Sequence, residues 1–239
     1  MQEVIVQNLT VQYENFVAVG DVSFSVPHGS HIALVGPSGC GKSTILKAIA
    51  GLIPYKGTIM GVPDRIGYMP QKGVLLPWYT VMKNLTLPLT IRGIPEKAAR
   101  EKVTKHLEEF GLKGFENQYP SVLSGGMYQR AALLRTLMVD APLILLDEPF
   151  GAVDALNRRK LWLWLEQRRT TWNISTIMVT HDVEEAVFLS DIVIVLTPSP
   201  AKVKHIFHVD LPHPRNIHHM GSQKFTQLSE KVLESVIST

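Results

Sequence analysis

The sequence predicts an α/β fold built on a mostly parallel sheet, carrying a second, helical region. Three observations predict it. Between Leu143 and Leu196, short apolar strands alternate with helices. The apolar run His31–Val35 leads through a glycine-rich loop into a helix. From Gly73 to Asp140 the pattern is mainly helical, so the core is interrupted rather than continuous. The chain divides as one domain, 1–239: residues 1–72 and 141–239 form the α/β core, 73–140 a helical subdomain, and 197–239 a tail.

The elements follow in order. β-like runs cover Val4–Tyr13, Ala18–Val26 and His31–Val35, with Pro27-His28-Gly29 as a turn. A helix spans Lys42–Ile49 and stops at Gly51. Short strands at Gly57–Met60 and Arg65–Met69 follow. Glu96–Phe110 is amphipathic, with Ala99, Val103, Leu107 and Phe110 at helical spacing. A further helix, Met127–Val139, is entered through Ser124-Gly125-Gly126. Then come strand Leu143–Leu146, helix Ala155–Arg169, strand Thr176–Val179, helix Glu184–Leu189 and strand Ile192–Leu196. Leu161-Trp-Leu-Trp-Leu, apolar all round, reads as buried helix. In the tail, Phe225, Leu228, Val232 and Val236 mark one face of a last helix.

Composition sets limits. The 239 residues are 45% hydrophobic and 19% charged, which suits a folded core and not a disordered chain. A net charge of +3 neither requires nor excludes nucleic acid or a membrane surface. One cysteine, Cys40, permits no intrachain disulfide and fits a reducing compartment. The start shows no signal-peptide pattern, and no apolar run approaches the roughly 20 residues of a membrane span.

Chemistry begins at Gly36-Pro37-Ser38-Gly39-Cys40-Gly41-Lys42-Ser43, followed by Thr44, which fits G-x-x-x-x-G-K-[ST] between a strand and a helix. A triphosphate concentrates negative charge. Glycines let backbone N–H groups converge on it, and the helix N-terminus adds positive potential. Lys42 supplies a cation to the outer phosphates, and Ser43 a hydroxyl to Mg2+. The expected ligand is a nucleoside triphosphate with Mg2+. Cys40 reads as a small filler in the loop. Downstream, Leu143-Ile-Leu-Leu ends in Asp147-Glu148. An acid pair at a strand end is often only a turn or cap. Beside a phosphate loop, Asp147 can hold Mg2+ and Glu148 can polarise an attacking water.

Between these motifs stands Leu123-Ser124-Gly125-Gly126-Met127, then Tyr128-Gln129-Arg130. This resembles the signature loop of ATP-binding-cassette ATPases, and the likeness runs in the expected order over Val4 to Asp191. It implies a P-loop NTPase core with a RecA-like sheet, an N-terminal antiparallel β subdomain and a helical subdomain. It implies that Tyr13 stacks on adenine, although a plain strand tyrosine would read the same. It implies that Gln71 reaches Mg2+ and the attacking water, and senses a membrane partner. It implies that Asp154 couples two sites across a dimer, whether or not it also caps a helix, and that His181 contacts the γ-phosphate. Ser124, Gly125 and Gly126 would cap the γ-phosphate of a partner copy. Met127 stands where the family has glutamine, which bears on any side-chain bond there but not on Ser124 or the backbone.

Finer features resemble the nitrate, sulfonate and taurine importer ATPases. They are Pro37-Ser-Gly-Cys-Gly-Lys, Leu76-Pro-Trp-Tyr-Thr-Val-Met-Lys-Asn-Leu, Gly151-Ala-Val-Asp-Ala-Leu-Asn-Arg, Val183-Glu-Glu-Ala and Leu211-Pro-His-Pro-Arg215. Two features depart: the segment between Gly57 and Tyr68 is short, and Ser30-His31 replaces a common Glu. The resemblance implies a second ATPase copy (or a related ATPase), two permease subunits, and an extracytoplasmic solute-binding protein delivering a small, anionic solute. It places the chain at the cytoplasmic face of the cell membrane. The apolar stretch Val74–Tyr79 would meet the permease. A soluble ATPase acting on nucleic acid or ribosomes is the alternative, but such relatives carry paired cassettes, a long coiled coil or a zinc insert, and none is present. A non-catalytic subunit is disfavoured by Lys42, Glu148 and His181. The tail histidines and the basic clusters Arg158-Arg159-Lys160 and Arg168-Arg169 read as solvated surface.

Overall fold

The structure is a computed structural model that describes residues 2–72, 74–172 and 174–238. Gly73, which opens the expected helical region, lies outside the described residues. In chain order the elements are β1 (Val4–Tyr13), β2 (Phe16–Val26), β3 (His31–Val35), α1 (Lys42–Ile49), β4 (Lys56–Met60), β5 (Ile66–Met69), α2 (Val81–Ile91), α3 (Glu96–Leu107), α4 (Gly125–Leu137), β6 (Leu143–Asp147), α5 (Ala155–Trp172), β7 (Ser175–Val179), α6 (Val183–Leu189), β8 (Ile192–Leu196), β9 (Val203–His208), α7 (Ile217–Met220) and α8 (Gln223–Ile237). The six-stranded sheet has the order β5-β6-β7-β3-β8-β9 and is parallel except for β9. A three-stranded antiparallel sheet, β2-β1-β4, stands apart from it.

The run composition of the parallel strands explains their place. A strand buried on both faces needs no polar alternation. Successive residues therefore enter opposite cores. Ile32, Leu34, Leu143, Leu145, Ile177 and Ile194 pack on the side of α1 and the antiparallel sheet. Ala33, Val35, Ile144, Leu146, Met178, Val193 and Val195 pack on the side of the helical region, α5, α6 and α8. Each such Val, Leu, Ile or Met side chain contributes about 1.5–3 kcal/mol of burial. The all-apolar run on α5 is buried in part, with Leu163 and Leu165 only half-buried. Leu161, Trp162 and Trp164 are covered, with Trp162 stacked on Phe188 and Trp164 edge-on to Phe110.

Three features were not drawn from the sequence. Helix α2 carries Pro88 within it, a residue that reads as a break. Its start is set by Thr80, whose hydroxyl accepts from Lys83 N–H. Strand β9 is a half-exposed edge strand, so its hydrophobic contrast is weak. The tail is also tied down more firmly than a solvated surface would be. The His213 ring bridges Glu166 Oε2 at 2.7 Å and Asp191 Oδ1 at 3.2 Å. Buried Arg215 donates to the carbonyls of Val187, Phe188 and Ser190, satisfying the C-terminal end of α6. Likewise Arg158 pairs with Asp182 at 2.9 Å, and Arg169 pairs with Asp191, rather than pointing into water.

Candidate active site

The C-terminal ends of β3, β6 and β7 converge on one edge of the parallel sheet. Strand β3 comes early in the chain but lies between β7 and β8, which places its end at a topological switch point, where open α/β sheets bind ligands. The loop Gly36–Gly41 leaves this end and turns into α1. Gly41, the residue before the helix, has φ 116°, and a Cβ there would lie 2.7 Å from the Ala18 carbonyl. Only glycine fits, because both the backbone angle and the close approach forbid a side chain. Ser38 and Gly39 face solvent, whereas Cys40 is buried as a small filler in the core. The Lys42 ammonium donates to the Gly36 and Pro37 carbonyls, both at 2.8 Å, and so lies folded across the loop.

Strand register brings the acids to this loop. Asp147 pairs with Val179 across β6 and β7, and Leu34 pairs with Val179 across β3 and β7. The Ser43 hydroxyl therefore reaches Asp147 Oδ1 at 2.9 Å. Burial raises the Asp147 carboxyl above its usual range, the Ser43 bond opposing this and Glu148 adding to it. Two hard oxygens this close at a strand end and a helix N-terminus suit Mg2+. Glu148 follows with its N–H on the Val179 carbonyl and its own carbonyl held by Gln129 Nε2 at 2.8 Å. Its φ is 51°, a conformation that costs a non-glycine residue about 1–3 kcal/mol and is concentrated at functional sites. His181, two residues past β7, places Nδ1 3.6 Å from Glu148 Oε2.

The other expected residues are distributed around this centre. Gln71 is exposed just beyond β5. Tyr13 is exposed at the end of β1, in the hairpin whose Ala18 and Val19 press on the phosphate loop. Asp154 accepts from Asn157 N–H at 3.0 Å and Asn157 Nδ2 at 2.7 Å, and these bonds lower its carboxyl below the usual range. It is thus a helix cap. Ser124 caps α4 by accepting from Met127 N–H, a bond that needs no side chain at position 127. Gly126 packs on Ala152 and Val153, while Gly41 packs on Ala18, Val19 and Ala201. The two glycine-rich helix ends therefore sit in different surroundings within one chain.

The sequence profile described as ABC transporter matches residues 19–151, more than half of the chain. The chain belongs to the ABC transporter ATP-binding family. An aliphatic sulfonates import ATP-binding protein of Bacillus licheniformis is 40% identical, covering 92% of this chain and 87% of that protein. An uncharacterised ABC transporter ATP-binding protein of Methanocaldococcus jannaschii is 39% identical over 95% of this chain and 89% of its own length. A solved dimeric bacterial ABC transporter cassette superposes with a TM-score of 0.80 at 27% identity, covering 87% of this chain and all of that one. A second dimeric cassette structure, in a post-hydrolysis state bound to ADP and Pi, superposes with a TM-score of 0.78 at 26% identity, with the same coverage.

This ABC subunit is an ATPase. Several supporting residues carried no role in the sequence reading. Asn84 is fully buried and ties the Val74–Tyr79 stretch, accepting from Leu76 N–H and donating to the carbonyls of Leu76, Tyr79 and Thr80. Thr180, Asp182, Arg158 and Glu185 surround the turn that bears His181. A signal for them existed: Asp182-x-x-Glu185 has the spacing of a helix capping box.

Proposed function

We propose that two copies of this chain clamp two ATP molecules between them and thereby drive import of a small anionic, sulfonate-like solute through a membrane permease. The observation that carries this reading is the division of the site. Lys42, Ser43, Asp147, Glu148 and His181 gather at one sheet edge, while the Ser124–Gly126 helix tip, exposed at Ser124 and Gly125 and suited to a second anion, packs elsewhere on the chain. A neighbour's tip would complete the pocket around the γ-phosphate.

In this reading the loop amides and Lys42 fix the phosphates. Ser43, Asp147 and Gln71 would hold Mg2+, which supplies charge neutralisation when bound. Glu148 takes up the proton of the attacking water, and His181 holds the γ-phosphate geometry. Tyr13 stacks on the adenine, and Asp154 links the two sites. Catalysis comes from positioning and charge stabilisation. Two permease subunits would dock at the Val74–Tyr79 stretch, keeping the protein peripheral at the cytoplasmic face. An extracytoplasmic binding protein would deliver the solute, and no nucleic acid is involved. Among the described residues no helix is long and apolar enough to cross a membrane. The 40% identity to a protein named for aliphatic sulfonate import supports the solute class.

The test is solution scattering of the full chain with a slowly cleaved ATP analogue and Mg2+. A dimer that forms with the analogue and disperses with ADP is expected. A monomer under both conditions would reject the proposal. Sulfonate uptake by membranes that carry the chain with its permease tests the solute.

A further inference from the structure

Glu185 is buried, only 3% exposed, and nothing in the reaction as described uses it. It occupies the third position of α6, where the capping-box pattern would send its carboxyl back to the Asp182 N–H. That N–H is already taken by the Thr180 hydroxyl at 3.0 Å. The carboxyl turns inward instead. Its Oε1 has no hydrogen-bond partner among the described residues. It lines a cavity of about 10 Å³ shared with Glu148, His181, Asp182, Arg158 and Phe150.

Three acids thus surround one cation. Asp182 Oδ2 accepts from Arg158 at 2.9 Å, and Asp182 Oδ1 caps the Glu185 N–H at 3.0 Å. The Arg158 charge is engaged by Asp182, and Glu148 needs its own negative charge for the reaction. A third charge in this space would have no counterion, and a buried unpaired charge is strongly disfavoured. We propose that Glu185 is a positioning residue of the hydrolytic site, acting as a neutral carboxylic acid that holds the Thr180–Asp182 turn bearing His181 and leaves the field around Glu148 undisturbed. The proposal rests on Glu148 and His181 acting at the γ-phosphate.

The groups facing Glu185 are Thr180, Asp182 and His181 from the turn, Arg158 from α5 and Glu148 from the end of β6. Burial first, then the Asp182 and Glu148 charges, push its carboxyl up to about 8, against the pull of Thr180 and Arg158. As pH rises through that value Glu185 ionises, and the turn and Glu148 gain a like-charged neighbour.

The experiment follows kcat for ATP hydrolysis by the full chain from pH 6.5 to 9.5, with nucleotide affinity measured in parallel. The wild type should lose turnover above about pH 8 with little change in affinity. Glu185→Ala should lower kcat about tenfold to hundredfold, the cost of misplaced reacting groups. Glu185→Gln, which is neutral at every pH, should restore turnover near pH 7 and shift the alkaline fall to higher pH. A wild-type profile flat to pH 9.5, or an alkaline fall that Glu185→Gln leaves in place, would overturn the proposal. Glu148→Gln assayed alongside separates the two readings. Normal hydrolysis by that variant removes Glu148 from the reaction, and the positioning role falls with it. Lost hydrolysis there together with an unmoved alkaline fall in Glu185→Gln overturns the role of Glu185 alone.

Discussion

Glu148 Oε2 lies 3.6 Å from Nδ1 of His181, although the two residues belong to different strand ends. The contact follows from register, since the Glu148 N–H bonds to the Val179 carbonyl, two residues before the histidine. An acid in a left-handed backbone conformation is thereby held beside the exposed imidazole.

Glu148→Gln keeps the shape and removes the proposed proton acceptor. ATP hydrolysis should fall by about 10²-fold or more, the usual contribution of a positioned base. Nucleotide binding should persist, and the ATP-bound dimer should become long-lived in light scattering. Turnover close to wild type would rule out the assignment.

Asp147→Asn separates function from stability. The raised carboxyl means that burial disfavours its charge, so the folded state gains less from it as pH rises above the unfolded value near 3.9. Without Mg2+, the variant at pH 7 should melt higher than the wild type, by about 2–4 °C for each kcal/mol gained. Mg2+-dependent hydrolysis should nevertheless be lost. Calorimetry and a phosphate-release assay check the two halves.

Trp78 is 66% exposed at the edge of the Val74–Tyr79 stretch. Trp78→Ala should leave nucleotide affinity and melting temperature unchanged within error, and reduce co-purification with the permease subunits severalfold. Undiminished recovery of the complex would show that the permease docks elsewhere.

Asn84→Ala should act on the same stretch through stability. It strips the side-chain partner from the Leu76 N–H and the Tyr79 carbonyl, each costing about 1–3 kcal/mol if left buried and unpaired, whereas the Leu76 and Thr80 carbonyls keep backbone donors. Chemical denaturation should show a loss of at least about 2 kcal/mol, well beyond that of a surface substitution.

His213 gives a pH-dependent tether for the tail. Its bonds to Asp191 and then Glu166 raise the imidazole above its ordinary value. A raised histidine stabilises fully below the unfolded value near 6.5 and loses that contribution as pH climbs through the folded value. The stability gap between wild type and His213→Ala should be about 1–2 kcal/mol at pH 6 and shrink towards pH 9. A constant gap would mean that the imidazole acts only by packing.

The phosphate loop, the acid pair and the core strands were legible in the sequence because each depends on neighbours in the chain. Gly41 must be glycine for a turn it makes itself, and Ile144 alternates with Leu145 whatever lies above and below the sheet. Helix α2 was obscured by Pro88, and β9 by the weak contrast of an edge strand. The tail histidines looked alike in sequence. Among the described residues only His213 of these meets two carboxylates, one from α5 and one just before β8, and no local pattern encodes that meeting.

By itself, the sequence determined most of the order of strands and helices, the glycine-rich loop and the place of the acids at a strand end, because backbone angle, periodicity and charge are properties of short segments. The tertiary structure alone decided that β3 lies between β7 and β8, that Ser43 reaches Asp147, and that Glu185 turns inward behind Glu148. Those are relations between distant segments, set by which apolar faces can be buried together and which buried polar atoms are left to find a partner.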